Sequence, residues 1–202
     1  MKIHLMEQGS DLWFAIRKGV PTASNFHRII TPAKRKYSSQ AEDYILELIG
    51  DKFSEIPPEG VENFTNRAVR WGEWCEGKAR DYFRNLTNLE VTQVGFVTTD
   101  DGRFGCSPDG LIPNSGLELK CPQAKTQVEW LMAGVLPEQH KTQVHGCMIV
   151  CDVPEWWFLS YSPGLPPLLL NVKRDSFTDD LQVALEMFHE KYQAALDRFK
   201  SM

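Results

Sequence analysis

The sequence predicts an α/β or α+β fold, a sheet flanked by helices, and two observations carry that reading. Between residues 68 and 83, Ala68, Trp71, Cys75, Ala79, Tyr82 and Phe83 recur at three- and four-residue spacing, which lines one face of a helix. Directly after them the period falls to two, in the strand-like run LEVTQVGFVTT. The order of helices, strand meander, helices, strands and a last helix then sets the class.

Taken from the N-terminus, Ser10 or Asp11 caps a short helix holding Trp13, Phe14 and Ile16, and Thr22 caps another through TASNFHRII. Pro32 and the basic KRK stretch read as a loop. Ser39 with Glu42 forms a capping box for the helix SQAEDYILELIGDKF, which Pro57, Pro58 and Gly60 end. Beyond the 68–83 helix and the first strand, DDGR is a turn and RFGCS a returning strand. PNSG is a second turn and GLELKC a third strand. The 123–133 and 137–151 stretches are helical, with Pro137 at a first turn. EWWFLSYS and LLLNVKR are strands on either side of SPGLPP, and Ser176 caps a final amphipathic helix over 176–200.

A chain of 202 residues, 42% hydrophobic, can bury one sizeable core. The expected organisation is a single domain over 1–202, with an N-terminal helical region 1–60 packed on a core 61–202. No apolar run approaches the roughly 18 residues of a membrane span, and no secretory h-region is evident, so a cytoplasmic protein is expected. The five cysteines include no C-x-x-C pair and read as reduced. Net charge is −5, yet residues 1–40 carry +5 from seven basic and two acidic side chains, leaving −10 for the rest. Such a split allows a phosphate-attracting face on an acidic whole.

The chemistry concentrates in Ser107-Pro108-Asp109-Gly110 and Leu117-Glu118-Leu119-Lys120. Side chains alternate along a strand, so Glu118 and Lys120 share one face while Leu117, Leu119 and Cys121 enter the core. A hairpin through PNSG brings Asp109 beside Glu118. Two carboxylates and a lysine on one face suit phosphodiester cleavage: carboxylates hold hard cations, a bound cation lowers the pKa of water, and a lysine positions that water. Glu76 lies one position from the apolar face of the 68–83 helix, where it could lean over the sheet edge, and Glu73, one turn earlier, competes for that role. Gln143 sits beside the stripe Val144, Cys147, Met148 and Cys151, placed to donate to a phosphate oxygen. His140 and His145 are five residues apart, the wrong spacing for a helical metal pair, and read as structural or DNA-facing.

Together, EQGSDLWFAIRKGVPTASNF, WGEWCEGKARDYF, CSPDGL, GLELKCP and the QV pair at 143–144 resemble the lambda exonuclease family of viral recombination nucleases, in order and at compatible spacing from about residue 7 to 150. The resemblance implies a restriction-endonuclease-like PD-(D/E)xK core, a mixed central sheet flanked by helices. It implies a magnesium-dependent 5′-to-3′ exonuclease that digests one strand of linear duplex DNA and releases 5′-mononucleotides. The 3′ tails left behind would serve a single-strand annealing recombinase. It further implies a ring-shaped homotrimer encoded by a phage or prophage and working in the bacterial cytoplasm, with two Mg²⁺ ions and Mn²⁺ as a substitute. By motif position Asp109 and Glu118 are metal ligands, joined by the Leu119 carbonyl and by Glu76, rather than Glu73, through water. Lys120 orients the nucleophile and Gln143 matches the family's glutamine. Arg17, Ser24 and Ser107 fall where the family gathers groups around a 5′-phosphate. Lys34, Arg35 and Lys36 do not align, so their DNA role rests on charge alone. The alternative reading is a non-catalytic DNA-binding or phage assembly protein that kept the fold.

Overall fold

Gly116 marks one of the closest approaches in the sheets. A Cβ there would lie 2.1 Å from the ring of Trp156, so only glycine lets the neighbouring strand bring its largest side chain across. The computed structural model that shows this describes residues 1–54 and 67–202, and side chains outside 67–73. In chain order its elements are β1 (Lys2–His4), α1 (Asp11–Arg17), a 3-10 helix (Ala23–Arg28), β2 (Ile30–Thr31), β3 (Lys36–Tyr37), α2 (Ala41–Phe53) and α3 (Arg67–Thr87). There follow β4 (Phe96–Thr98), β5 (Gly105–Cys106), β6 (Gly110–Ile112), β7 (Ser115–Lys120), α4 (Ala124–Ala133), α5 (Glu138–Cys151), β8 (Glu155–Ser160), β9 (Leu168–Lys173) and α6 (Ser176–Lys200).

The central sheet runs β6-β7-β8-β9. β7 and β8 are parallel, Leu117 to Trp157 through Lys120 to Ser160, and the other two pairs are antiparallel. A parallel pair needs a crossover, which α4 and α5 supply. A second sheet, β1-β4-β5, lies beside it, and β2-β3 form a hairpin. The mixed sheet flanked by helices is the expected architecture.

Alternation along β7 sorts the core into two. Leu117 and Leu119 join Ala79 and Phe83 of α3, Leu159 and Val91 on one face. On the other, Trp156 and Phe158 pack with Cys147 and Met148 of α5 and with Phe177, Leu181 and Phe188 of α6. Each fully buried large apolar side chain contributes about 2 kcal/mol over its exposed state. The sheet is therefore clamped from both faces, and β7 is buried along nearly its whole length.

Several sequence expectations change at the ends of elements. Ser10 caps α1 as expected, accepting from Trp13 N–H. Gln40 rather than Ser39 stands at the start of α2, with no side-chain cap. Asp175, not Ser176, caps α6: its carboxylate accepts from Phe177 and Thr178 N–H, and the Thr178 hydroxyl oxygen accepts from Asp175 N–H. The strand expected over 89–99 is regular only at β4, with one bridge from Thr92 to Leu111. The KRK stretch is not an open loop: Lys34 and Arg35 lie in the turn of the β2-β3 hairpin, and Lys36 begins β3. Pro57, Pro58 and Gly60 lie outside the described residues.

Candidate active site

Pro108 cannot donate a backbone hydrogen bond, so the ladder between β6 and β7 stops at Asp109. Asp109 N–H still donates to the Leu117 carbonyl at 3.1 Å. Its side chain then takes the next rung: Oδ2 accepts from Leu119 N–H at 2.6 Å. The N–H and C=O of one extended residue point to the same strand edge, so the Leu119 carbonyl faces the Asp109 side of β7.

Glu118 points to the opposite face from Leu117 and Leu119, as alternation predicts, and is only 2% exposed. Its Oε1 meets Lys120 Nζ at 2.5 Å. Its Oε2 is buried and has no hydrogen-bond partner among the described residues. Burial, then the adjacent Glu118, pushes the Asp109 carboxyl up to about 8; Lys120 and the Leu119 N–H oppose the rise. Burial works to lower the Lys120 pKa, but Glu118 and Asp109 outweigh it and drive the ammonium's value upward.

An orphaned buried carboxylate oxygen beside a second, mutually repelled carboxylate fits a hard cation, which supplies the missing positive charge. Among the described residues no three His, Cys, Asp or Glu side chains gather into a metal cage. The set is a carboxylate pair plus a carbonyl, which suits Mg²⁺ because that ion keeps several waters. Glu76 stands further out. It lines a polar cleft with Glu7, Gln8, Arg80, Gln93 and Asp109, and its charge is the weakest of the influences that raise the Asp109 carboxyl. Glu73 lies outside the described side chains.

Arg80, one helical turn after Glu76, is a residue the sequence reading does not single out. Its Nε donates to the Asp109 carbonyl at 3.3 Å. The Glu-x-x-x-Arg spacing, which puts both on one face of α3, was the available signal. Gln143 is partly buried on α5, three residues from His140 and four from Cys147, both of which lie within electrostatic reach of Lys120. By spacing, His140, Gln143 and Cys147 share one face of α5. Burial, then Lys120, lowers His140 to about 4, so it is neutral at ordinary pH. His145 is buried against the Thr178 hydroxyl at 2.7 Å, a structural role.

A second cluster lies two residues before Asp109. Arg17 Nη1 donates to Ser107 Oγ at 2.9 Å, and Trp13 Nε1 donates to the same oxygen at 3.0 Å. The guanidinium lies 4.0 Å over the Trp13 ring. Burial lowers the Arg17 pKa, but a guanidinium stays charged. Ser24 is placed nearby only indirectly: Thr22 bridges to Gly105, and the Ser24 hydroxyl meets Thr22 Oγ1 at 3.2 Å rather than Arg17. Arg35 turns to α6, donating to Ser176 and pairing with Asp180 at 3.3 Å. Lys34 and Lys36 are exposed, with no ion-pair partner among the described residues.

A mixed sheet whose central strand delivers Glu118 and Lys120, with an aspartate closing its broken edge, defines the PD-(D/E)xK-like nuclease fold. Residues 12–154 match the YqaJ-like viral recombinase domain, and the chain belongs to that family. The computed structure is similar to the alkaline exonuclease LHK-Exo from Laribacter hongkongensis, at a TM-score of 0.79 and 25% identity over 95% of this chain and 97% of that one. The same exonuclease in complex with dAMP matches equally. A phage-related exonuclease from Haemophilus somnus 129PT shares the fold at a TM-score of 0.61 and 14% identity, over 89% and 96% of the two chains. No match is found among curated proteins. The resemblance to the lambda exonuclease family drawn from the sequence stands, in the family model and in the similarity to an alkaline exonuclease. No helix among the described residues is long and apolar enough to cross a membrane.

Proposed function

We propose that the protein is a divalent-metal-dependent exonuclease that digests one strand of linear duplex DNA from its 5′ end, leaving 3′ tails for a single-strand annealing partner. The observation that carries this is the pairing of Asp109 with the buried, half-satisfied Glu118 beside Lys120. Asp109, Glu118 and the Leu119 carbonyl would hold Mg²⁺, with Glu76 reaching it through water. When bound, the ion lowers the pKa of water toward about 7 and stabilises charge on the phosphate.

The chain's own groups do the rest. Lys120, anchored on Glu118, keeps its proton and presents N–H donors toward the attacking water and the phosphoryl oxygens. Gln143 offers an amide donor from the α5 side. Arg17, stacked on Trp13 and anchored to Ser107, takes a terminal 5′-phosphate in its planar fork, and Ser107 fixes that phosphate two residues from Asp109. Ser24 would approach that pocket only by way of Thr22, and the exposed Lys34 and Lys36 would add positive charge along the duplex, while Arg35 is engaged by Asp180. A homotrimeric ring would hold the enzyme on its track. The family and the similarity to an alkaline exonuclease support the nuclease reading itself.

The deciding experiment is digestion of end-labelled linear duplex and closed circular duplex with and without Mg²⁺. Linear DNA should shorten from its 5′ ends only with metal, and circles should survive. Discrete cuts in the circle would mean an endonuclease, and metal-dependent binding without cleavage would mean a DNA-binding protein that kept the fold.

A further inference from the structure

We infer that Arg80 is the positioning residue for Asp109, locking the helix that carries Glu76 to the strand edge that carries the metal-binding pair. The inference rests on the nuclease reading above.

Asp109 is held at three points. Two come from β7: its N–H on the Leu117 carbonyl and its Oδ2 on Leu119 N–H. Both tie it to its own sheet and leave its distance from α3 open. The third is Arg80, whose Nε donates to the Asp109 carbonyl. The remaining face of the guanidinium meets the Gln93 amide; with that amide turned so that its oxygen faces the guanidinium, the orientation that satisfies both groups, the oxygen accepts from Nη1 at 3.2 Å and Nη2 at 3.3 Å. Gln93 precedes Val94, whose carbonyl receives Gln8 Nε2 at 3.1 Å, and the same Gln8 nitrogen reaches the Pro108 carbonyl at 3.0 Å. Arg80 and Gln8 thus grip the chain at consecutive residues, Pro108 and Asp109.

Helix spacing explains why Arg80 serves here. Glu76 and Arg80 are four apart, so they project from one face into the same cleft. Such a pair commonly forms an ion pair, yet among the described residues no salt bridge joins them. Arg80 is committed to the Asp109 carbonyl and Gln93, which leaves the Glu76 carboxylate available to the metal's water shell. Arginine suits the task because its planar fork meets two separate acceptors at once, and lysine offers no such fork. Partners of this kind typically shift metal affinity by about 10- to 100-fold.

The test is Mn²⁺ binding to the metal-free protein, measured by the loss of its free-ion paramagnetic resonance signal, in wild type, Arg80→Ala, Arg80→Lys and Gln93→Leu. It is paired with the half-saturating Mg²⁺ concentration and the KM for linear duplex DNA. Arg80→Ala should weaken Mn²⁺ binding about tenfold, with unchanged KM and recovery of most of kcat at high Mg²⁺. Arg80→Lys should recover only part of the affinity, and Gln93→Leu should shift it in the same direction by less. Unchanged Mn²⁺ affinity in Arg80→Ala with a raised KM would make Arg80 a DNA contact and overturn the inference. Unchanged affinity and KM with only a lower melting temperature would do so too. Should Arg80→Ala not fold, Gln93→Leu with wild-type Mn²⁺ affinity is sufficient to reject it. Failure of wild type to bind Mn²⁺ at all would instead defeat the nuclease reading.

Discussion

At the scale of single residues, Glu118 shows the conflict between stability and chemistry. It is buried, and Lys120 satisfies only one of its oxygens. Asp109→Ala and Glu118→Ala should each abolish cleavage in Mg²⁺ while DNA binding survives, and more than a few per cent residual activity would remove that residue from the site. Lys120→Ala should slow turnover by roughly 10²-fold or more. It should also cost the metal-free protein about 3 kcal/mol, because it strands a buried carboxylate. Glu118→Gln is expected to do the opposite to stability, raising the melting temperature of the metal-free protein while still eliminating cleavage. A lower melting temperature in Glu118→Gln would show that Glu118 is structural.

Asp109 carries the pH dependence. Its carboxyl is raised from an ordinary 3.8 to about 8 by burial and Glu118. Between those values the folded protein holds a proton that the unfolded chain has released, so stability falls as pH rises through that window. Metal-free protein should therefore melt at progressively lower temperature from about pH 4 to pH 8, and Asp109→Asn should flatten the slope. Since a cation must displace that proton, divalent affinity should rise with pH and level off above about 8. Metal affinity that is flat from pH 6 to 9 in calorimetric titration would contradict the assignment.

At the scale of elements, the sequence is most readable where periodicity is long. The apolar face of α3, the alternation of β7 and the paired crossover helices all follow from spacing, and so does the convergence of Asp109 with Glu118 and Lys120. Short strands are not readable this way: β1, β5 and β6 have only two or three residues, too few to show a period. Their pairing comes from tertiary contact, as in β1 against β4, more than ninety residues away. The α6 cap was misplaced by one residue because Asp175 and Ser176 are both good caps and geometry chose the acid. For Arg80 spacing gives the face, shared with Glu76, but not the partner, because that partner is a backbone carbonyl, which residue type does not encode. The Arg17 cluster is the opposite case, since helix α1 lays Trp13 and Arg17 four residues apart and the indole pre-orients the guanidinium. Arg17→Ala should erase any preference for 5′-phosphorylated over 5′-hydroxyl duplex and leave divalent binding intact. Equal digestion of both ends by wild type would mean that end polarity comes from another element.

At the scale of the whole molecule, the proposed function requires an acidic chain to hold on to an acidic polymer. Net charge is −5, so long-range attraction for DNA depends on the basic N-terminal portion rather than on the protein as a whole. A lone subunit with one such face would dissociate readily as salt releases its phosphate contacts. A closed homotrimer removes that weakness without new contacts, because a subunit that lets go stays near the duplex at a high effective concentration. Light scattering should then report three copies of the 23.1 kDa chain at working concentration. Digestion begun before a challenge with excess unlabelled duplex should continue on the labelled molecule for many nucleotides, and this persistence should weaken only gradually with salt. A monomeric mass together with immediate arrest by the unlabelled competitor would defeat the ring, and the enzyme would have to rebind its substrate after each cut.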